Sequence, residues 1–234
     1  MRPFVKPVVL ILFLLTTVGL GPAPVASADG SKHQDSGRLV TPHAKVGGLT
    51  GGDLTGEGWY IELSLPAEIN PAFGNGERCV RLGRDGSALL AIGFGPPQTC
   101  IVEVGTAVYI IGITTFCSDV EPPPYFAIDE ASQRQCALDL LHADTVSISL
   151  TVDGGDPVSL KERRFMICSP QREVQLLADN FLGVDPQLAT YVACGWVAWL
   201  KDLPVGTHTI RSVATFTDGS EHVWEPVITV VPDD

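Results

Sequence analysis

Residues 196–231 read WVAWLKDLPVGTHTIRSVATFTDGSEHVWEPVITVV, and this stretch decides what kind of fold the chain builds. Leu203-Pro204-Val205-Gly206 and Asp218-Gly219 are turn sequences, so the stretch predicts three consecutive strands joined by two turns. Between the turns, Ile210, Ala214 and Phe216 share one strand face and Thr209, Arg211, Thr215 and Thr217 the other. That is the period-two pattern of a half-buried strand. Asp-Gly between such runs is a strong hairpin signal. A two-residue loop there sets Thr217 opposite Ser220 and Thr215 opposite His222.

The same pattern recurs upstream. In residues 145–152, Val146, Ile148, Leu150 and Val152 are expected inward, with Ser147, Ser149 and Thr151 outward. Asp153-Gly154-Gly155-Asp156-Pro157 is a turn, and residues 158–167 return from it. Residues 87–94 and 106–115 are apolar runs with β-branched residues, read as interior strands, and residues 101–104 as a short strand. Gly95-Pro96-Pro97 turns the first of these toward Cys100. Residues 128–143 have a helical rather than a strand period, and residues 168–188 form a long mixed segment of the kind that often carries function. Residues 59–65 alternate Trp59, Ile61, Leu63 and Leu65 with Tyr60, Glu62 and Ser64, which suits a strand, with a short amphipathic helix as the alternative. Strands at short spacing with one or two short helices predict a mainly β protein. The expected fold is an antiparallel β-sandwich or jelly-roll-like single domain over residues 59–232.

Residues 1–28 read as a secretory signal: Arg2 and Lys6, an apolar run over residues 8–20, and Ala26-Ser27-Ala28 as the cleavage site. The mature chain is expected to begin at Asp29, secreted and without a membrane span. Residues 29–58 are polar and Gly-rich and are expected to form a flexible leader, with His33 and His43 solvated. The formal charge of −12 over 234 residues repels phosphate backbones, so nucleic acid is not an expected partner.

Cys79, Cys100, Cys117, Cys136, Cys168 and Cys194 follow this exported segment in an even number, which predicts three disulfides rather than a metal site. No C-x-x-C is present, and no His stands at zinc-ligand spacing from a Cys. Nearest-neighbour pairing is expected: 79 with 100, 117 with 136, 168 with 194.

An ordered series of short segments across residues 59–231 resembles a family of uncharacterised secreted bacterial proteins, largely actinobacterial. The segments are Leu65-Pro66 with Asn70-Pro71; Gly76-Glu77-Arg78-Cys79; GSALLA at residues 86–91; TCIVEVG at residues 99–105; Val152-Asp153-Gly154; Arg164-Phe165; Ser169-Pro170; and GTHTI at residues 206–210. The resemblance implies a β-sandwich-like domain with no assigned activity, and a helix at residues 59–65. It supplies no catalytic residues. The chain departs from the family at Ala88-Leu89-Leu90, where the family is aromatic-rich, and at Tyr109-Ile110-Ile111-Gly112, where the family often carries Phe-Phe-Pro. A ligand surface built on those aromatics is therefore expected to be altered or absent.

Chemistry is sparsely signalled. There is no G-x-S-x-G elbow. His208 is in phase with Ile210 and reads as a hydrogen-bonded core histidine, while His222 follows the hairpin turn half-exposed. Asp139, His142 and Asp144 read as polar residues at a helix end. Asp153 and Asp156 read as turn residues, without the EF-hand spacing for calcium. Asp119 with Glu121, or Asp179 with Asp185, are the carboxylate pairs a hydrolase would draw on. Trp59, Trp196, Trp199 and Trp224 read as packing residues, and Trp196 and Trp199 differ in parity, so a regular strand sends them to opposite faces. No catalytic, cofactor or metal residues are assigned. The expectation is a non-catalytic extracellular or envelope binding module for an unknown ligand or protein. The alternatives are a secreted glycan or peptide hydrolase and a calcium-dependent carbohydrate-binding module.

Overall fold

The computed structural model describes residues 37–92 and 99–233. The expected signal segment, the first residues of the expected leader with His33, and the Gly95-Pro96-Pro97 turn lie outside the described residues. In chain order the elements are β1 (Arg38–Val40), α1 (Gly51–Ser64), β2 (Cys79–Leu82), β3 (Ala88–Ala91), β4 (Thr99–Glu103), β5 (Ala107–Ser118) and α2 (Glu130–Asp144). There follow β6 (Thr145–Val152), β7 (Val158–Ser159), β8 (Met166–Cys168), β9 (Arg172–Leu176), β10 (Gln187–Lys201), β11 (Gly206–Phe216), β12 (Glu221–Trp224) and β13 (Val227–Val231). All belong to one compact unit, Asp35–Asp234.

The strands form two sheets, and the protein is a mainly β sandwich. The first sheet has the order β1-β10-β5-β3-β2, with β8 and β9 also on β10. One edge of β10 pairs with β5; the other carries β9, β8 and β1 end to end. The second sheet has the order β4-β13-β11-β6-β7, with β12 on β11. Pairing is antiparallel except for β3 with β5 and β4 with β13, which are parallel.

β10 explains the layering. Val192, Cys194, Trp196, Ala198 and Leu200 face the second sheet and join Ile148, Leu150, Ile210, Ala214 and Ile228 in one core. The odd residues Tyr191, Ala193, Val197 and Trp199 face the other way, in clusters that include Leu54 and Leu63 of α1. A strand covered on both faces must be apolar at nearly every position, and residues 191–200 are all buried. Trp196 and Trp199 accordingly sit in different cores, as their parity requires. α2 packs on the same side as the second sheet through Ala137 and Leu141.

Three local corrections to the sequence reading have physical causes. First, residues 38–64 are structured: β1 pairs with β10, and α1 begins at Gly51. Residues 59–65, whose period suits a strand but for which a helix is the alternative and the one the resemblance implies, are the end of that helix, with Leu65 as its C-cap. Thr50 and Asp53 close a capping box: the Thr50 hydroxyl accepts from Asp53 N, and the Asp53 carboxylate accepts from Thr50 N. Asn70 closes the other end by donating from Nδ2 to the Glu62 and Leu65 carbonyls, 2.5 and 3.0 Å away.

Second, Val146 is exposed. Thr215 pairs with Ser147 and Phe216 with Thr145, so Val146 is an unpaired bulge residue turned outward, and Thr145 is buried instead. Third, the Asp218-Gly219 hairpin is shifted by one residue. Phe216 N donates to Ser220 O and Gly219 sits at φ +82, so the loop has three residues. Thr215 therefore opposes Glu221, and Ala214 opposes His222. The expected third strand also divides in two, β12 and β13, at Glu225-Pro226.

The three disulfides have the expected pairing. Cys79–Cys100 joins the two sheets from β2 to β4, Cys117–Cys136 ties β5 to α2, and Cys168–Cys194 links directly opposed residues of β8 and β10. Three bridges and no free cysteine among the described residues indicate an oxidising, extracellular environment. Among the described residues, no helix is long and apolar enough to cross a membrane.

Candidate functional site

The site grows from the meeting of α1 with the first sheet. On α1, Leu54, Gly58 and Glu62 recur at four-residue spacing and share a face, flanked by Thr55 and Trp59. Opposite them stand Leu90 and Ile92 at the end of β3, and Tyr109, Ile111, Ile113 and Thr114 of β5. His222 and Trp224 of β12 close one side. Together they line a pocket of about 90 Å³, small beside the ~300 Å³ or more of a drug-sized site.

A bulge in β5 shapes this wall. Trp196 pairs with Ile113 and Val197 with Ile111, leaving Gly112 unpaired. Before the bulge Val108 and Ile110 face the inter-sheet core; after it Cys117 does, while Phe116 turns to the α1 side. The bulge lets Ile113 and its neighbour Thr114 both border the pocket. A Cβ at position 112 would stand 2.5 Å from the Trp196 carbonyl oxygen, so the close strand approach requires glycine.

The polar groups around the pocket are unevenly satisfied. The Thr55 hydroxyl donates to Gly51 O, which leaves its oxygen to accept the Tyr109 hydroxyl proton across 2.6 Å. Burial pushes the Tyr109 phenol up, so it remains a donor. Glu62 is 6 % exposed, and its carboxyl has no hydrogen-bond or ionic partner among the described residues. Loss of water without compensation pushes it up to about 7. Burial also holds His222 below the usual histidine range. The Trp59 indole nitrogen is buried without an acceptor among the described residues. Its ring packs 4.5 Å from Phe116 and 6.1 Å from Phe181.

The residues singled out in the sequence are mostly structural. His208 is buried, with Nδ1 on the Asp153 carboxylate and Nε2 on the Pro204 carbonyl, each at 2.8 Å. Asp153 also accepts from Thr209 N, so both of its oxygens tie the β6 turn to β11. Asp119 accepts from both Thr190 N and Thr190 Oγ1, anchoring the end of β5 to β10. Glu121 accepts from the Ser118 hydroxyl, and burial raises it to about 7 against that bond. Asp139 accepts from Gln135, and His142 stacks edge-on to Trp196. Asp179 stands in an exposed turn, and Asp156 and Asp185 on exposed loops. Trp196, Trp199 and Trp224 are buried, while Trp59 and Trp224 border the pocket. Among the described residues, no three His, Cys, Asp or Glu side chains converge.

Of the sequence candidates, the pocket gathers only His222, Trp59 and Trp224; it adds Glu62, Thr55, Tyr109 and Thr114, which were not singled out. Their signal was present in Thr50-Gly51-Gly52-Asp53, a capping-box sequence preceding the stripe that ends in Glu62. Set against family models, characterised proteins and solved structures, the chain matches none.

Proposed function

We propose that the protein is an exported, non-catalytic binding module whose ligand seat is the pocket beneath α1. Export rests on the basic start, apolar run and Ala26-Ser27-Ala28 of the N-terminal segment, with the disulfides in accord. The same series of motifs that resembles secreted actinobacterial proteins supports that setting. The observation that carries the binding reading is a largely apolar pocket holding one buried, unpartnered carboxyl at Glu62. Burying such a group lowers stability, and a site that keeps it is a candidate for function.

The hydrolase reading has the near-neutral Glu62 in its favour, since a general acid needs such a value. A carboxylate mechanism needs a second carboxyl about 5 to 10 Å away, and among the described residues Glu62 is the only acidic one lining the pocket. Binding is therefore the better reading.

The test is an NMR titration of the domain with tert-butanol and with tetramethylammonium as small probes. Shifts with at least one of the two, confined to α1, β3, β5 and β12 and lost in Gly58→Leu, are expected. A Cβ at Gly58 meets only Leu90 Cδ2 at 3.7 Å, so larger side chains there enter the pocket. Shifts scattered over the surface, or unchanged in Gly58→Leu, overturn the reading.

A further inference from the structure

We infer that the pocket beneath α1 takes a small alkylated ammonium group, held by the aromatic walls of Trp59, Tyr109 and Trp224 and neutralised by Glu62. This rests on the binding reading above and names its ligand class. Aromatic faces attract cations through their negative π-clouds, and alkyl groups on the nitrogen match the apolar surfaces of Leu54, Leu90 and Ile92. A carboxyl without a partner among the described residues supplies the counter-charge that such a cation requires when it leaves water. The small volume suits a head group rather than a whole large ligand. The acidic chain, at −12, concentrates cations at its surface and repels anions.

The site couples binding to protons. Among the described residues, the titratable groups facing Glu62 across the pocket are Tyr109 from β5 and His222 from β12; β3 and the residue after it contribute Leu90 and Ile92. Tyr109 stays protonated, and His222 is held toward its neutral form. Glu62 is therefore the group that changes charge near neutrality, releasing its proton to solvent when the cation arrives. With Glu62 at about 7, about a tenth of the free protein is ionised at about pH 6, so the cation binds about tenfold more weakly there than at about pH 8.

The experiment compares tetramethylammonium, its neutral near-isostere tert-butanol and the anion pivalate, at about pH 6 and about pH 8. Binding is read from the tryptophan indole N–H shifts of the parent, Glu62→Gln and Gly58→Leu; the amide spectrum and melting temperature verify folding. The expected result is selective binding of tetramethylammonium, about tenfold tighter at the higher pH. In Glu62→Gln the binding is weaker and independent of pH. Equal binding of tert-butanol and tetramethylammonium, both lost in Gly58→Leu, overturns the ammonium class and leaves the binding seat standing. Absence of binding by all three probes, or binding untouched by Gly58→Leu, overturns both. If Gly58→Leu fails to fold, Thr114→Leu, bordering the same pocket from β5, serves as the blocking variant.

Discussion

At the scale of the residue, Glu62 is where the fold is least content. Its side chain is largely buried against apolar walls, and the neutral form is favoured because no partner among the described residues replaces the lost water. Between the ordinary glutamate value of 4.5 and the folded value of about 7, the folded state keeps a proton that the unfolded chain has released. Stability therefore falls as pH rises through that window, and the full loss is about 3 kcal/mol for a shift of this size. Glu62→Gln removes the ionisation at nearly constant shape. It is expected to match the parent near pH 4.5 and to be more stable by about 3 kcal/mol near pH 8, read from urea unfolding at several pH values. An unchanged difference across that range would contradict the assignment. Glu121, also raised to about 7 by burial, gives the variant a residual slope of the same sign. His222 acts in the opposite direction: burial disfavours its cation, so the folded state loses stability as pH falls through the ordinary histidine range. None of this was legible in the sequence, because Glu62 lies at an even position among alternating apolar residues and looks solvated there. Its burial follows from the helix, not from the alternation.

At the scale of the element, α1 shows why glycine content misleads. Gly52 and Gly56 lie on the face turned to β8 and β9, where a Cβ would come within 2.6 Å of the Cys168 carbonyl oxygen and 2.3 Å of Arg172 Nε respectively. The helix backbone is used directly at this contact. Tyr191 Oη donates to Gly56 O, Arg172 Nη2 donates to Asp53 O, and Arg172 Nη1 pairs with Glu57 at 2.7 Å. Read by composition, these glycines describe a flexible leader; in the fold they let a helix lie flat against a sheet. Gly58 faces the pocket and meets no such obstacle. Gly58→Ala is therefore expected to stabilise the domain by about 0.5–1 kcal/mol through helix propensity. Gly52→Ala is expected to destabilise it by about 1–3 kcal/mol, because a backbone carbonyl cannot step aside. Chemical denaturation of the two variants checks the pair, and equal effects would refute the face assignment. The strands were more legible than the helix. The pattern of Ile210 and Ala214 on β11 survives intact, since it depends only on parity along one strand. What failed was parity across a bulge, at Val146 on β6, and across a loop whose Gly219 adds a residue to the turn. Bulges leave no fixed residue signature, so their positions emerge only when partner strands are in place.

At the scale of the whole molecule, the disulfides divide the labour of holding the layers. Nearest-neighbour pairing was readable because each bridge closes a short loop, with sequence separations of 21, 19 and 26. On chain entropy alone each contributes about 3 kcal/mol, so loop length does not distinguish them. Their surroundings do. Cys168 and Cys194 are already opposed on hydrogen-bonded strands, and Cys194 is fully buried. Cys79 and Cys100 sit on edge strands of different sheets, β2 held only by β3 and β4 only by β13 in the described pairing. Replacing Cys79 and Cys100 together by Ala removes a tie between layers while leaving the β10–β5 centre untouched. That variant is expected to lose about 2–4 kcal/mol, with amide hydrogen exchange quickening first in β2 and β4 and protection kept in β5, β10 and β11. Replacing Cys168 and Cys194 by Ala instead opens space beside the buried centre of β10. Its loss is expected to appear as a uniform fall in protection across the first sheet, because β10 is the strand on which β1, β5, β8 and β9 all pair. Exchange mapped residue by residue separates the two. A global loss on removing the Cys79–Cys100 bridge would mean that the two sheets are held by that covalent tie rather than by the core between them.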